Sequence, residues 1–209
     1  MNMDWTDMTI REFQDALSSK NPTPGGGTAS AIALGQSASL VAMVANLTIG
    51  NQKWSDGWEI SDSALVLANK IIEDSGRLAK EDSDSFDHVM YAFKLPKDTE
   101  DEKIIRRSKI RESTLKAAEI PYNTALLALD LLKIMVPLSL HGNANAISDI
   151  GVAALLATAA CKGALFNVEI NLNSLPEDYG VEIRENAPKV ASDCRDIARE
   201  IMHNVKEIM

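Results

Sequence analysis

Apolar positions recur three and four residues apart along most of the chain, and few segments alternate with period two. That spacing places apolar side chains on one face of an α-helix. It predicts an all-α fold, a bundle of about six helices. Thr9-Ile10-Arg11-Glu12 has capping-box spacing and predicts a short helix over 10–19. Asn21-Pro22-Thr23-Pro24-Gly25-Gly26-Gly27 breaks it, since proline disfavours helix in the residue before it and glycine relaxes the backbone. Thr28 is the expected cap of a segment over 28–49, and 51–57 reads as a turn. Residues 61–93 read as one long helix or two nearly collinear ones. Their stripe is Ala64, Ala68, Ile71/Ile72, Ser75, Leu78/Ala79, Asp82, Phe86, Val89 and Phe93, and Asp82 interrupts an otherwise apolar face. Thr99-Glu100-Asp101-Glu102 is a second capping box. It opens a helix expected to reach about Val136, with a kink at Pro121. A polar loop over 141–145 follows, then a helix over 151–167 with Ser148-Asp149 at its start. Residues 171–179 read as irregular, and 181–207 as a last amphipathic helix.

The 28–49 segment is uncharged and would be about 33 Å long as a helix, enough to span a bilayer. Seven of its 22 residues are polar and six are alanine. Ala31, Gly35, Ala38, Ala42 and Ala45 recur as a heptad seam of small side chains, which lets another helix approach closely. The segment therefore reads as a long central helix, buried and available to a subunit interface, and not as a membrane span. Ala153, Ala157, Ala160 and Ala164 form a matching face and are its expected partner.

At 209 residues the chain is expected to form one domain over 1–209. Lys plus Arg number 21 and Asp plus Glu 30, a net charge of −9, which argues against nucleic acid or an anionic membrane as partner. Cys161 and Cys194 form no CxxC, and the start lacks a basic residue and an apolar run. Both features suit a reducing compartment, and a cytoplasmic protein without a signal peptide is expected.

Four places carry candidate chemistry. Pro24-Gly25-Gly26-Gly27-Thr28 leads into a helix, where free N–H groups bind anions or carbonyl oxygens. It lacks the GK[ST] of a nucleoside-triphosphate loop, and a tight turn explains the glycines equally well. Glu81-Asp82-Ser83-Asp84 puts a carboxylate on an apolar stripe. A desolvated carboxylate suits general acid–base work, while a buried ion pair with Arg106 or Arg111 would be purely structural. Gly142-Asn143-Ala144-Asn145-Ala146-Ile147-Ser148-Asp149 offers amides to read a heterocycle and a carboxylate to move a proton. Equally, Ser148 could cap the helix and Asp149 complement its dipole. Lys53, Lys97, Lys103, Arg106, Arg107 and Lys109 could hold a carboxylated ligand or form a solvated helix face. His88, His141 and His203 are isolated, so no metal site is expected, and no GxSxG occurs.

Together these segments resemble the cyclodeaminase/cyclohydrolase family. The resemblance rests on Pro22–Thr28, Val44–Gly50, Glu81-Asp82-Ser83, Leu95-Pro96-Lys97-Asp98-Thr99, Glu102-Lys103 with Arg106, and Pro121. It is densest over 142–154 and 167–172, and covers roughly residues 5–205 in order. Ala144 stands where the family often has Pro, and Asn51 and Trp54 where a basic residue and Tyr are common.

The resemblance implies an all-α dimer formed through long helices, with tetrahydrofolate one-carbon derivatives as ligands and no further cofactor. It implies a cyclohydrolase that converts 5,10-methenyltetrahydrofolate to 10-formyltetrahydrofolate. The alternatives are a formiminotetrahydrofolate cyclodeaminase and a non-catalytic folate-binding or scaffold protein. On the enzyme reading Asp82 and Asp149 carry the acid–base roles. Gly25, Gly26 and Gly27 wall the site, and Asn143, Asn145, Asn46 and Ser148 contact the substrate. Lys97 and Arg106 are expected to hold its glutamate carboxylate.

Overall fold

The computed structural model describes residues 4–209. Six α-helices follow in order: α1 (Ile10–Leu17), α2 (Gly26–Thr48), α3 (Trp58–Phe93), α4 (Glu100–His141), α5 (Ile147–Asn173) and α6 (Val181–Ile208). Short 3₁₀ segments occupy Trp5–Asp7, Gln52–Gly57 and Ala144–Ala146, and no strand occurs among the described residues. Both capping boxes form, Thr9 with Glu12 at α1 and Thr99 with Glu102 at α4. Each satisfies backbone N–H groups that a helix start leaves bare.

Several boundaries differ from the sequence pattern. Gly25, not Thr28, holds the cap position of α2, and Thr28 lies inside the first turn with its hydroxyl committed to Asp82. The 51–57 turn is a 3₁₀ segment that runs directly into α3 at Trp58. Helix α4 continues through Pro121 and Pro137 to His141. A proline leaves the carbonyl four residues earlier without its N–H partner. For Pro121 that carbonyl is Ala117, and the Asn171 side-chain amide donates to it at 2.9 Å. For Pro137 it is Lys133, on the exposed side of the helix where water can serve. Helix α5 starts at Ile147, so Ser148 and Asp149 lie within its first turn, and Ala146 caps it without a side-chain bond. The 3₁₀ turn before it is already held by the Asn143 side chain, which accepts from the Asn145 N–H. The C-terminal end of α5 extends to Asn173, beyond the expected 167. Gly180, in the left-handed region at φ 66°, then turns the chain into α6.

Helix α2 lies between α3 and α5 and runs antiparallel to both. Gly35 faces Ser75 of α3, and Gly163 of α5 faces Ser30. Ser37 donates to the Ala153 carbonyl at 2.7 Å. Ala31, Ala38, Ala42 and Ala45 are buried, as are Ala153, Ala157, Ala160 and Ala164. The two seams do not simply face each other. Ala31 packs with Leu78, Ala79 and Ile120, and Gly35 lies on Ser75, so that part of the α2 seam serves α3 and α4. The α5 seam meets the neighbouring stripe of α2, which carries Ser30 and Ser37. Leu34, Ile71, Leu131, Leu132, Met135, Ile150 and Ile201 complete one continuous core. Each such side chain contributes about 1.5–3 kcal/mol by leaving water.

Helices α2 and α4 and the α5 segment each contain an 18-residue stretch of mean hydropathy 1.5, long and apolar enough to cross a membrane. About half of each stretch is buried inside the bundle. Apolar side chains left exposed on α2 and α5 include Met43, Leu47, Val152, Leu155, Phe166 and Ile170.

Candidate active site

The loop before α2 faces the C-terminal parts of α3 and α5 and closes one wall of a cleft of about 280 Å³. Gly25 lines it from the cap of α2, Gly26 and Gly27 from α2 itself, Asp82, Ser85, Phe86 and Val89 from α3, Ala117 from α4, and Asn167, Ile170 and Asn171 from α5. The apolar stripe of α3 explains the wall. It is buried as far as Ala79, then passes Asp82 and leaves the core, so that Phe86 is exposed. The cleft begins where the stripe loses its cover.

Among the described residues Asp82 forms no ion pair. The expected structural partners are occupied elsewhere: Arg106 donates to the Phe93 carbonyl and sits 5.6 Å from the Phe93 ring, and Arg111 sits 5.6 Å from the Tyr179 ring. The Thr28 hydroxyl donates to Asp82 Oδ2 at 3.0 Å and lies 3.0 Å from the Ser83 hydroxyl. Burial lifts the Asp82 carboxyl above the usual carboxylate range, and the Thr28 hydroxyl and backbone N–H pull it part of the way back. Gly27 is required here, because a Cβ at that position would meet the carboxylate. The Gly25–Gly27 turn and Asp82, separate motifs in the sequence, thus form one site.

Thr28, Asn167 and Asn171 belong to it as well. The pattern read Thr28 as a cap. The two amides lie in the 167–172 block that carries the resemblance but had no site role, because the helix was expected to end at 167 and the i,i+4 pairing of Asn167 with Asn171 was not visible. Asn167 Nδ2 donates to the Gly163 carbonyl, and Asn171 Nδ2 to the Ala117 and Asn167 carbonyls, each at 2.9 Å. These bonds all use Nδ2, which leaves the two Oδ1 atoms as acceptors for a ligand. Together with Asp82, the side chains present acceptors and no cation. The cleft suits a cationic ligand or one rich in N–H groups.

The other expected residues lie elsewhere in the chain. Asp149 is 18 residues from Asn167 along α5, about 27 Å at 1.5 Å per residue. Asn46 is as remote along α2. Asn46, Asn143, Asn145, Ser148 and Asp149 cluster at the far end of the bundle. There the Asn143 N–H donates to Thr48 Oγ1 at 2.9 Å and Asn143 Nδ2 to the Leu47 carbonyl at 3.0 Å. Asn143 Oδ1 accepts from the Asn145 N–H, so this side chain is largely spent on holding the loop. One chain therefore does not bring Asp82 and Asp149 together. Lys97 and Arg106 line a separate cavity of about 600 Å³ with Lys103, Arg107 and Arg111. Arg106 is 11 residues along α4 from Ala117 in the cleft wall, about 16 Å. Among the described residues, no three of His, Cys, Asp and Glu gather as a metal cluster.

Residues 9–188 match the family described as formiminotransferase-cyclodeaminase. A methenyltetrahydrofolate cyclohydrolase of Methylorubrum extorquens is 37% identical over 176 residues, 84% of this chain and 85% of that one. A formimidoyltransferase-cyclodeaminase of Gallus gallus is 30% identical over 166 residues, 79% of this chain and 31% of that longer protein. The crystal structure of formiminotetrahydrofolate cyclodeaminase from Thermotoga maritima superposes with a TM-score of 0.81 at 25% identity, covering 97% of this chain and 96% of that one. The chain belongs to the formiminotransferase-cyclodeaminase family.

Proposed function

We propose that the protein hydrolyses 5,10-methenyltetrahydrofolate to 10-formyltetrahydrofolate. In this substrate N5 and N10 share a cationic amidinium carbon. Water adds to that carbon and loses a proton, giving a tetrahedral carbinolamine. The C–N5 bond then breaks as the carbinolamine hydroxyl gives up its proton and N5 takes one, leaving the formyl group on N10. One water enters and one proton leaves overall, and the reaction as written uses no metal or redox cofactor.

The observation that carries this reading is Asp82, a part-buried carboxylate in the cleft wall with no cation beside it among the described residues. Such a group stabilises the amidinium and accepts the proton of the attacking water. On this reading the amide oxygens of Asn167 and Asn171, which line the cleft, receive N–H groups of the pterin. Lys97 and Arg106 are the groups for the glutamate carboxylate at the other end of the substrate. The similarity to the M. extorquens cyclohydrolase over most of both chains supports the same chemistry.

A second reading draws on the T. maritima likeness. In a cyclodeaminase N10 attacks a formimino carbon and ammonia leaves, through a tetrahedral centre at the same carbon. The acid–base residues serve either route.

The working unit of this proposal is a homodimer. A cleft of about 280 Å³ lies just under the roughly 300–1,000 Å³ that encloses a drug-sized ligand. Val152, Leu155, Phe166 and Ile170 share one face of α5 and are spaced evenly about its middle. A two-fold axis there pairs Val152 with Ile170 and Leu155 with Phe166 of a second copy, with the Lys162 head group reaching to the rim. It also carries the far end of that copy, with its second carboxylate and amides, to the cleft. On this reading Asp149, Asn143, Asn145, Asn46 and Ser148 act from the second copy. Cys161 and Cys194 are buried free thiols, which supports the cytoplasm as the compartment.

The test adds purified protein to 5,10-methenyltetrahydrofolate in a buffer where spontaneous hydrolysis is slow and follows loss of near-ultraviolet absorbance. Accelerated loss with 10-formyltetrahydrofolate as product supports the cyclohydrolase. No acceleration, with ammonia released from formiminotetrahydrofolate, supports the cyclodeaminase.

A further inference from the structure

Trp5 lies three hydrogen bonds from the cleft. Its Nε1 donates to Ser83 Oγ at 3.0 Å, Ser83 Oγ lies 3.0 Å from Thr28 Oγ1, and Thr28 Oγ1 donates to Asp82 Oδ2 at 3.0 Å. Both hydroxyls are buried. An indole N–H donates and never accepts, and each hydroxyl has one proton to give. Thr28 gives its proton to Asp82. Ser83 receives from Trp5, so its own proton goes to Thr28. The other acceptor within reach of Ser83, the Ala79 carbonyl, is 3.5 Å away, beyond the range of a good O–H donor bond. All three protons therefore point toward the carboxylate.

We propose that Trp5 and Ser83 are positioning residues for Asp82: the donor-only indole fixes the direction of the Trp5–Ser83–Thr28 chain, so that Oδ2 stays an acceptor and Oδ1 is the atom that exchanges a proton at the substrate. The proposal rests on the acid–base role given to Asp82 above. Placing a proton on Oδ2 would turn the Thr28 hydroxyl back toward Ser83, which would then receive two donors and keep only the distant Ala79 carbonyl for its own proton. The Thr28 backbone N–H supports the ionised carboxyl as well, but unlike the hydroxyl it has no alternative direction to turn, and the side-chain hydroxyl bond is to Oδ2.

The far end of the chain is anchored. The 3₁₀ turn Trp5–Asp7 is capped by Asp4, which accepts from the Thr6 N–H and hydroxyl. Thr6 lies close over Gly76 of α3, and the Trp5 ring meets the Phe13 ring of α1 edge-on at 6.4 Å. A segment remote in sequence from α2 and α3 is thereby tied to the cleft.

Few charges compete for control of Asp82. Among the cleft-lining residues, α2 offers only glycines, α4 offers Ala117, and α5 offers two neutral amides and Ile170. On α3, Glu81 pairs with Arg77 and Asp84 with Lys80. The N-terminal turn contributes Asp4, already bonded to Thr6, and the exposed Asp7.

The test titrates the Asp82 carboxyl in the full chain without substrate, by infrared difference against Asp82→Asn. It compares wild type with Trp5→Phe, Ser83→Ala and Ser83→Thr, using thermal melts to confirm folding. Trp5→Phe keeps a ring against Phe13, and Ser83→Ala removes a single heavy atom. Each should raise the midpoint by about half a unit or more, because the ionised form loses donor support. Ser83→Thr should restore it. The acid limb of kcat/KM should move by the same amount. An unmoved midpoint in either folded variant overturns the proposal, whatever Asp82→Asn does to turnover. A midpoint that moves while the acid limb stays leaves the positioning intact and removes the acid–base role of Asp82.

Discussion

The carboxylate of Asp82 fills the space that a side chain at Gly27 would occupy. This contact joins the glycine turn before α2 to the acidic interruption of α3. It predicts opposite outcomes at neighbouring glycines. Gly27→Ala forces Asp82 or the α2 turn to shift and should destabilise the fold by about 1–3 kcal/mol, the usual scale of overpacking. Turnover should fall with it. At Gly26 a Cβ finds only Asn167 Nδ2, at 3.8 Å. Gly26→Ala should fold as well as wild type. Chemical denaturation of the two variants checks the contrast.

Asp82 should also leave a stability signature. Its folded-state carboxyl is raised above the usual range, chiefly by burial. A group raised on folding favours the folded state when protonated. That contribution is present below the unfolded carboxylate range and is lost as pH rises through the folded value. The ionised carboxylate is therefore a cost to folding at neutral pH. Asp82→Asn removes that cost and should raise Tm at pH 7, with the gain shrinking as pH falls toward 3. Melting curves across that range check it. A Tm gain that is flat with pH would assign the effect to packing.

The legibility of this molecule divides along physical lines. Helical periodicity and the two capping boxes gave the helices, because both are local. The end of α4 was expected near Val136, before Pro137, but proline stops a helix only where the freed carbonyl finds no other donor, and the Lys133 carbonyl freed by Pro137 lies on the exposed side where water serves. At Pro121, which the helix was expected to pass, Asn171, fifty residues further on, supplies the donor. Thr28 read as a cap, yet its hydroxyl serves a residue 54 positions away. The candidate site was legible as motifs but not as a place. Asp82 and Gly25–Gly27 do meet, whereas Asp149 and the amides near it lie at the other end of two antiparallel helices. Sequence order carries no sign of that separation.

Separation within one chain makes the second copy essential to the proposed mechanism. Phe166 is 64% exposed on the α5 face that the proposed two-fold axis covers. Phe166→Asp should give monomers by sedimentation and, with the second carboxylate removed from the cleft, a loss of turnover. A monomeric variant with full activity would place the whole site within one chain.

Lys97 belongs to the cationic cavity and not to the reacting end. Lys97→Met should raise KM by about tenfold, close to 1.4 kcal/mol of binding, and leave kcat unchanged. The effect should disappear for a pterin substrate without the glutamate. Steady-state kinetics on both substrates separate a binding role from a catalytic one.

In the proposed reaction Asp82 performs acid–base work on the amidinium carbon. Hydrolysis of 5,10-methenyltetrahydrofolate by wild type and by Asp82→Asn in the same slow-background buffer tests this role. Wild type should accelerate the reaction clearly, and the variant should be slower by ~100-fold or more, with its fold intact. A folded Asp82→Asn protein that keeps the full rate would rule this role out.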